Sequence, residues 1–124
     1  MMPQKFGFSL KAIQEELQLK ALIHFDKQKG VVEEIGDEIF VNALVNSNLL
    51  EVLKIEMAMP IRLANNEIYE IVLQNNRGLV AKEGRINRYL IALNININNV
   101  LAAIGDNIDP GMVLFDLMQN IQRK

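Results

Sequence analysis

The stretch Gly105-Asp106-Asn107-Ile108-Asp109-Pro110-Gly111-Met112-Val113-Leu114-Phe115-Asp116-Leu117-Met118-Gln119-Asn120-Ile121-Gln122-Arg123-Lys124 spells out a helix start. Asp109 is the expected N-cap, since a carboxylate accepts from the unpaired N–H groups of the first turn. Pro110 follows at the first helical position, where its missing N–H costs nothing. Ile108 and Val113 stand one residue before and four after the cap, a hydrophobic staple. Leu114, Leu117, Met118 and Ile121 recur at spacings of three and four, which is one helical stripe. Arg123 and Lys124 bring positive charge to the negative end of the helix dipole.

Outward from this helix, 124 residues predict a single domain over 1–124. Half the residues are hydrophobic and there is no cysteine. That excludes a disulfide framework, a thiolate nucleophile and a cysteine zinc site. Thirteen basic residues against fifteen acidic ones leave a net charge of −2. Such a balance argues against a nucleic-acid partner held by phosphate contacts. No apolar run approaches the roughly 18 residues of a membrane span. Nor does the opening Met1–Phe8 resemble a signal peptide, so the expected localisation is cytoplasmic.

Along the chain, Ser9 is the expected cap of a first helix over Leu10–Leu19, with Phe8 and Ile13 as its staple. An early strand is expected within Leu22–Ile35. Ile39, Val41, Ala43 and Val45 alternate with Phe40, Asn42, Leu44 and Asn46, which predicts a strand; Leu53–Met59 alternate in the same way. A helical reading of Asp37–Asn46 and Leu49–Met59 competes. Asn65 or Asn66 then caps an expected second helix with Ile68, Ile71 and Val72 on its apolar face, ended by Gly78 in the left-handed conformation. Leu79–Lys82 and Arg88–Ile97 read as a hairpin around Glu83-Gly84, and Asn94–Asn99 as a strand end plus turn.

Catalytic chemistry is hard to find. His24 is the only histidine, so it reads as a packed or surface residue, not a metal ligand. Glu15-Glu16 and Glu33-Glu34 are adjacent pairs whose side chains diverge. Asp106, Asn107 and Asp109 lack the spacing and terminal Glu of a calcium loop. Gly78, Gly84 and Gly111 form no phosphate cradle, and Ser9 and Ser47 lie in no nucleophile elbow. Lys82, Arg85 and Arg88 beside Tyr89 read as a charged hairpin that keeps a sheet edge soluble. No catalytic, cofactor-binding or metal residue is assigned.

The element order α-β-β-β-α-β-β-α predicts an α+β fold, an antiparallel sheet with three flanking helices. With Asp106–Met118 and Ile71–Asn75, this order resembles the type III secretion chaperone family. The resemblance implies a small cytoplasmic bacterial homodimer that holds an extended segment of a client protein without chemistry. It implies client contacts at Leu10, Leu17, Phe40 and Leu44, and a homodimer interface at Ile68, Ile71 and Val72. A regulatory or adaptor protein of the same fold is the alternative.

Overall fold

The structure, a computed structural model, describes residues 9–55 and 59–122. Phe8, Met57, Arg123 and Lys124, on which parts of the sequence reading fall, lie outside the described residues. The elements in order are α1 (Leu10–Glu16), β1 (Ala21–Asp26), β2 (Gly30–Gly36), α2 (Glu38–Val45), α3 (Leu49–Ile55), β3 (Ile61–Arg62), β4 (Ile68–Asn75), β5 (Gly78–Glu83), β6 (Arg88–Asn94), β7 (Asn99–Asp106) and α4 (Pro110–Gln122). The strands form one antiparallel sheet in the order β2-β1-β7-β6-β5-β4-β3. The α+β class and the antiparallel sheet stand. Four helices, not three, flank the sheet among the described residues.

Both faces of the sheet are covered. Leu10 and Ile13 of α1 and Val113 and Leu117 of α4 pack on Leu22, Val80, Ile91, Leu93, Leu101 and Ala103. On the other face Val41 and Leu44 of α2 and Leu49 and Val52 of α3 pack on Ile23, Tyr69, Leu79, Leu90 and Ile104. Strands buried on both faces read as continuous apolar runs instead of alternating ones. That explains why Val100-Leu101-Ala102-Ala103-Ile104, the heart of β7, gives no period-two signal.

The terminal helices match their expected starts. The Ser9 side chain accepts from the Ala12 N–H at 3.2 Å. The Asp109 carboxylate accepts from Gly111 N at 3.0 Å and Met112 N at 3.2 Å. Leu114, Met118 and Ile121 join Val113 and Leu117 against Tyr89, Ile91 and Leu93, so the stripe packs on β6. Helix α1 ends early, at Glu16, with Gln18 in the left-handed region at φ 55°.

The middle of the chain reverses the leading expectation. Residues 38–45 and 49–55 are helices, and 68–75 is a strand. The Asp37 carboxylate accepts from the Ile39 N–H at 2.9 Å, and Glu38 suits the first turn of α2. Val41 and Leu44, then Leu49, Val52 and Leu53, fall at helical spacings and are buried. Ile68, Ile71 and Val72 also fit helical spacing, but β-branched residues favour a pleated strand. Asn65 caps no helix; its side chain accepts from Glu67 N at 3.1 Å in the turn before β4. Gly78 ends no helix either. It opens β5 at φ +156°, where a Cβ would stand 2.0 Å from the Ala92 carbonyl oxygen.

Candidate protein-binding surface

Helices cover both faces of the sheet and themselves expose Ile39 on α2 and Met112 and Phe115 on α4; the sheet is open only at its rim, two edges and two ends. The β2 edge carries exposed Glu33 and Glu34, charges that discourage further strand pairing. The opposite edge is less guarded. Strand β3 pairs β4 only at Ile61↔Tyr69 and Arg62↔Ile68. Asn48 then seals the outer side of β3, its Oδ1 accepting from Arg62 N at 2.7 Å and its Nδ2 donating to the Pro60 carbonyl at 3.1 Å. Beyond Tyr69, β4 pairs no other strand on its outer side among the described residues. Its exposed side chains there include apolar Val72, 61% exposed, and Leu73, 52%, between Glu70 and Asn75, and Ile68 at the paired start is 43% exposed. The strand also bulges between Ile71 and Leu73, which locally disturbs its pairing with β5.

One end of the sheet is closed by an ion network. The Arg88 guanidinium donates to Asp106 from Nε at 2.5 Å and from Nη2 at 3.0 Å, a two-pronged pair. Its Nη1 donates to Glu67, whose other oxygen accepts from the Tyr69 hydroxyl at 2.7 Å. The same guanidinium sits 4.6 Å from the Phe40 ring centre, tying α2 to the network. The side chain of Arg88 is only 14% exposed. The bonds from Arg88 hold the Asp106 carboxyl below its usual range, overcoming partial burial. Burial, reinforced by Glu67, pushes the Tyr69 hydroxyl up, so it stays a donor. At the neighbouring turn burial pushes Glu83 up, but the Arg85 and Ile86 N–H groups outweigh it and the carboxyl is held low. Lys82 lies over the Tyr89 ring, and Arg85 pairs with Glu83. The basic hairpin of the sequence reading is therefore largely partnered within the molecule.

The other end gathers three hairpin turns, β1–β2, β4–β5 and β6–β7. Between them and Leu53 of α3 lies a cleft of about 620 Å³, lined by Lys27, Gln74, Asn75, Asn76, Asn94, Asn96 and Ile97. Its asparagines are there partly for the turns. Asn75 Oδ1 accepts from Arg77 N at 2.8 Å, and Asn96 Oδ1 accepts from Asn98 N at 3.0 Å and Asn99 N at 3.1 Å. Asn94 differs. Its Nδ2 donates to the Asn76 carbonyl at 3.0 Å, but its buried Oδ1 has no donor among the described residues. Flipping the amide would only set oxygen against oxygen, so the hydrogen bond fixes its orientation. A buried acceptor in this state costs about 1–3 kcal/mol. Behind the cleft, His24 is buried, its Nε2 2.8 Å from Asn99 Oδ1.

The residues expected to hold a client are not gathered on one surface. Leu10 and Leu44 are buried in opposite cores, Leu17 is half-buried at the end of α1, and Phe40 is half-buried under Arg88. Of the expected interface, Ile68 and Val72 are exposed on β4, while Ile71 packs against the core. The β4 edge was hidden from sequence reasoning by the helical reading of 65–75. The cleft was hidden because its walls come from turns far apart in the chain. The repeated asparagines were the available signal, and they were taken only as turn chemistry. Asp106 and Asp109 are employed by Arg88 and by the α4 cap. Among the described residues no group of three or more His, Cys, Asp or Glu is placed to hold a metal, and no helix is long and apolar enough to cross a membrane.

The architecture is an antiparallel sheet covered on both faces, with the first and last helices on one side. Solved structures that share this fold include profilins. LokiProfilin2, in its complex with rabbit actin, superposes with a TM-score of 0.67 at 15% identity over 94% of this chain and 96% of that chain. LokiProfilin1 alone gives 0.70 at 12% identity over 92% and 90%. Myxococcus xanthus MglB gives 0.54 at 13% identity over 89% and 77%. By sequence, no family model and no curated protein matches. These neighbours overturn the resemblance to type III secretion chaperones. Its physical failing is plain: the Ile71–Asn75 segment taken as a helix is a strand, and a well-capped last helix serves both folds.

Proposed function

We propose that this chain is a small protein-binding module that acts by presenting a surface, not by catalysis. The observation that carries this reading is the β4 edge: Val72 and Leu73, more than half exposed, on a strand whose outer side is paired only at its start. Exposed apolar side chains beside an open strand suit partner docking by pairing and packing together. The LokiProfilins are described with rabbit actin, so a folded protein of the actin type is the first partner to test. Titration calorimetry with monomeric actin is expected to give saturable binding that Val72→Glu weakens by about tenfold or more. Absence of binding by the unaltered protein, or an unchanged constant in the variant, overturns the actin assignment or the edge assignment respectively.

A second copy of the chain is the other occupant the same edge suits, because an antiparallel self-pairing extends the sheet through Val72 and Leu73. Sedimentation equilibrium decides it. A dimer that Val72→Glu converts to monomer supports self-pairing, and a monomer at high concentration rules it out.

A further inference from the structure

We propose that the cleft at the turn end of the sheet binds an acidic, extended polypeptide segment, with Lys27 as the anchor for its carboxylate. This deepens the protein-binding reading and rests on it, but it uses the turn end of the sheet, to which β4 gives only Gln74 and Asn75, and not the exposed Val72 and Leu73. The chain as a whole is acidic, at −2. Yet Lys27 is the only charged residue lining the cleft among the described residues, and it makes no ion pair among them. Lys27 is half-buried as a residue, and an ammonium without a counter-ion attracts an anionic visitor.

The carboxamides reinforce that preference by what they have left to offer. An asparagine side chain has one acceptor oxygen and two N–H donors. The oxygens of Asn75 and Asn96 are committed to backbone N–H groups of their own turns. Donors are what these two retain for a ligand. The side chains of Gln74 and Asn76 make no hydrogen bond among the described residues and remain available. Asn94, at the cleft wall, carries a buried oxygen that lacks a donor among the described residues, an acceptor that a small turn of its side chain would present. A peptide with acidic side chains has both partners: carboxylate and carbonyl acceptors for Lys27 and the amide donors, and main-chain N–H groups for an acceptor. Leu53 and the exposed Ile97 add apolar contact at the cleft's margins. The cleft's volume, about 620 Å³, lies within the range of sites that enclose a short ligand.

The test uses the full chain labelled with nitrogen-15 and a short capped peptide of alternating leucine and glutamate. Glutamine and lysine versions of the peptide serve as controls. The acidic peptide is expected to shift the side-chain amide signals of Gln74, Asn76 and Asn94, and to bind about tenfold tighter than the glutamine version. Added salt weakens it. Lys27→Glu removes the preference, and Lys27→Arg keeps it, which separates a lost anchor from a damaged fold. Equal binding of the acidic and glutamine peptides, or no movement of these signals, overturns the proposal. Partner binding at the β4 edge survives Lys27→Glu and fails with Val72→Glu, so the two readings fall separately.

Discussion

The two ends of the sheet handle polar groups in opposite ways. At the Arg88 end, one guanidinium, two carboxylates, a hydroxyl and an aromatic face all find partners at close range. At the turn end, an ammonium and several carboxamides surround open space, and one buried oxygen goes without a donor. The first arrangement joins α2, the turn before β4, and β6 to β7. The second joins three hairpin turns, the strand ends beside them and Leu53 of α3, and its asparagines hold their own loops. A satisfied network contributes to stability; an unsatisfied one is available to something else. Polar groups hold this fold together at the Arg88 end and leave the turn end open.

The largest effect should come from Arg88→Met. It strands Asp106 and Glu67, both mostly covered, without their cation. Urea unfolding is expected to show a loss of about 3 kcal/mol, at the low end for buried ion pairs because Asp106 keeps some solvent. A loss no larger than that of a surface substitution would erase the contrast between the ends.

Acid should act on the same end next. The folded-state Asp106 carboxyl is depressed below its ordinary 3.8. Its contribution is therefore complete above that value and disappears as pH falls through the lower folded value. Asp106→Asn is expected to lower stability at neutral pH by about 1 kcal/mol and to flatten the decline below about pH 4. Asp26, at the turn end, is also held low, by the N–H groups of Gln28 and Lys29, but it is exposed. Asp26→Asn should change the acid limb less; an equal change would mean that the two ends are alike.

The smallest effect belongs to Asn94→Ala. It removes the bond to the Asn76 carbonyl but also the donorless oxygen, so the two terms nearly cancel, to within about 1 kcal/mol. A cost approaching that of Arg88→Met would show that Asn94 is a structural keystone rather than part of an open site.

Legibility in the sequence followed the range of the forces involved. Caps act within one turn, so Ser9 and Asp109 marked their helices correctly. The stripe of α4 marked the face that packs on β6, because an apolar face must be covered. The segments 38–55 and 68–75 failed because a short apolar run satisfies periods of two and of 3.6 together, and tertiary packing decides between them. Asp37 before Glu38 was the local cap that favoured the helix, and the β-branched run Ile71-Val72 was the local vote for the strand. The Arg88 network could not be read, since Glu67, Arg88 and Asp106 lie far apart in the chain and meet only through strand register. The cleft was illegible for the same reason.

Layers of helix on both faces of a sheet have an evolutionary consequence. A partner surface placed over the core would tie recognition to packing, so that every change of affinity risked the fold. Here the exposed strand and the turns are altered without disturbing Leu22, Leu90 or Leu101, all fully buried. A scaffold so divided lets its rim change without disturbing its packing, and the fold itself is shared with proteins at 12–15% sequence identity.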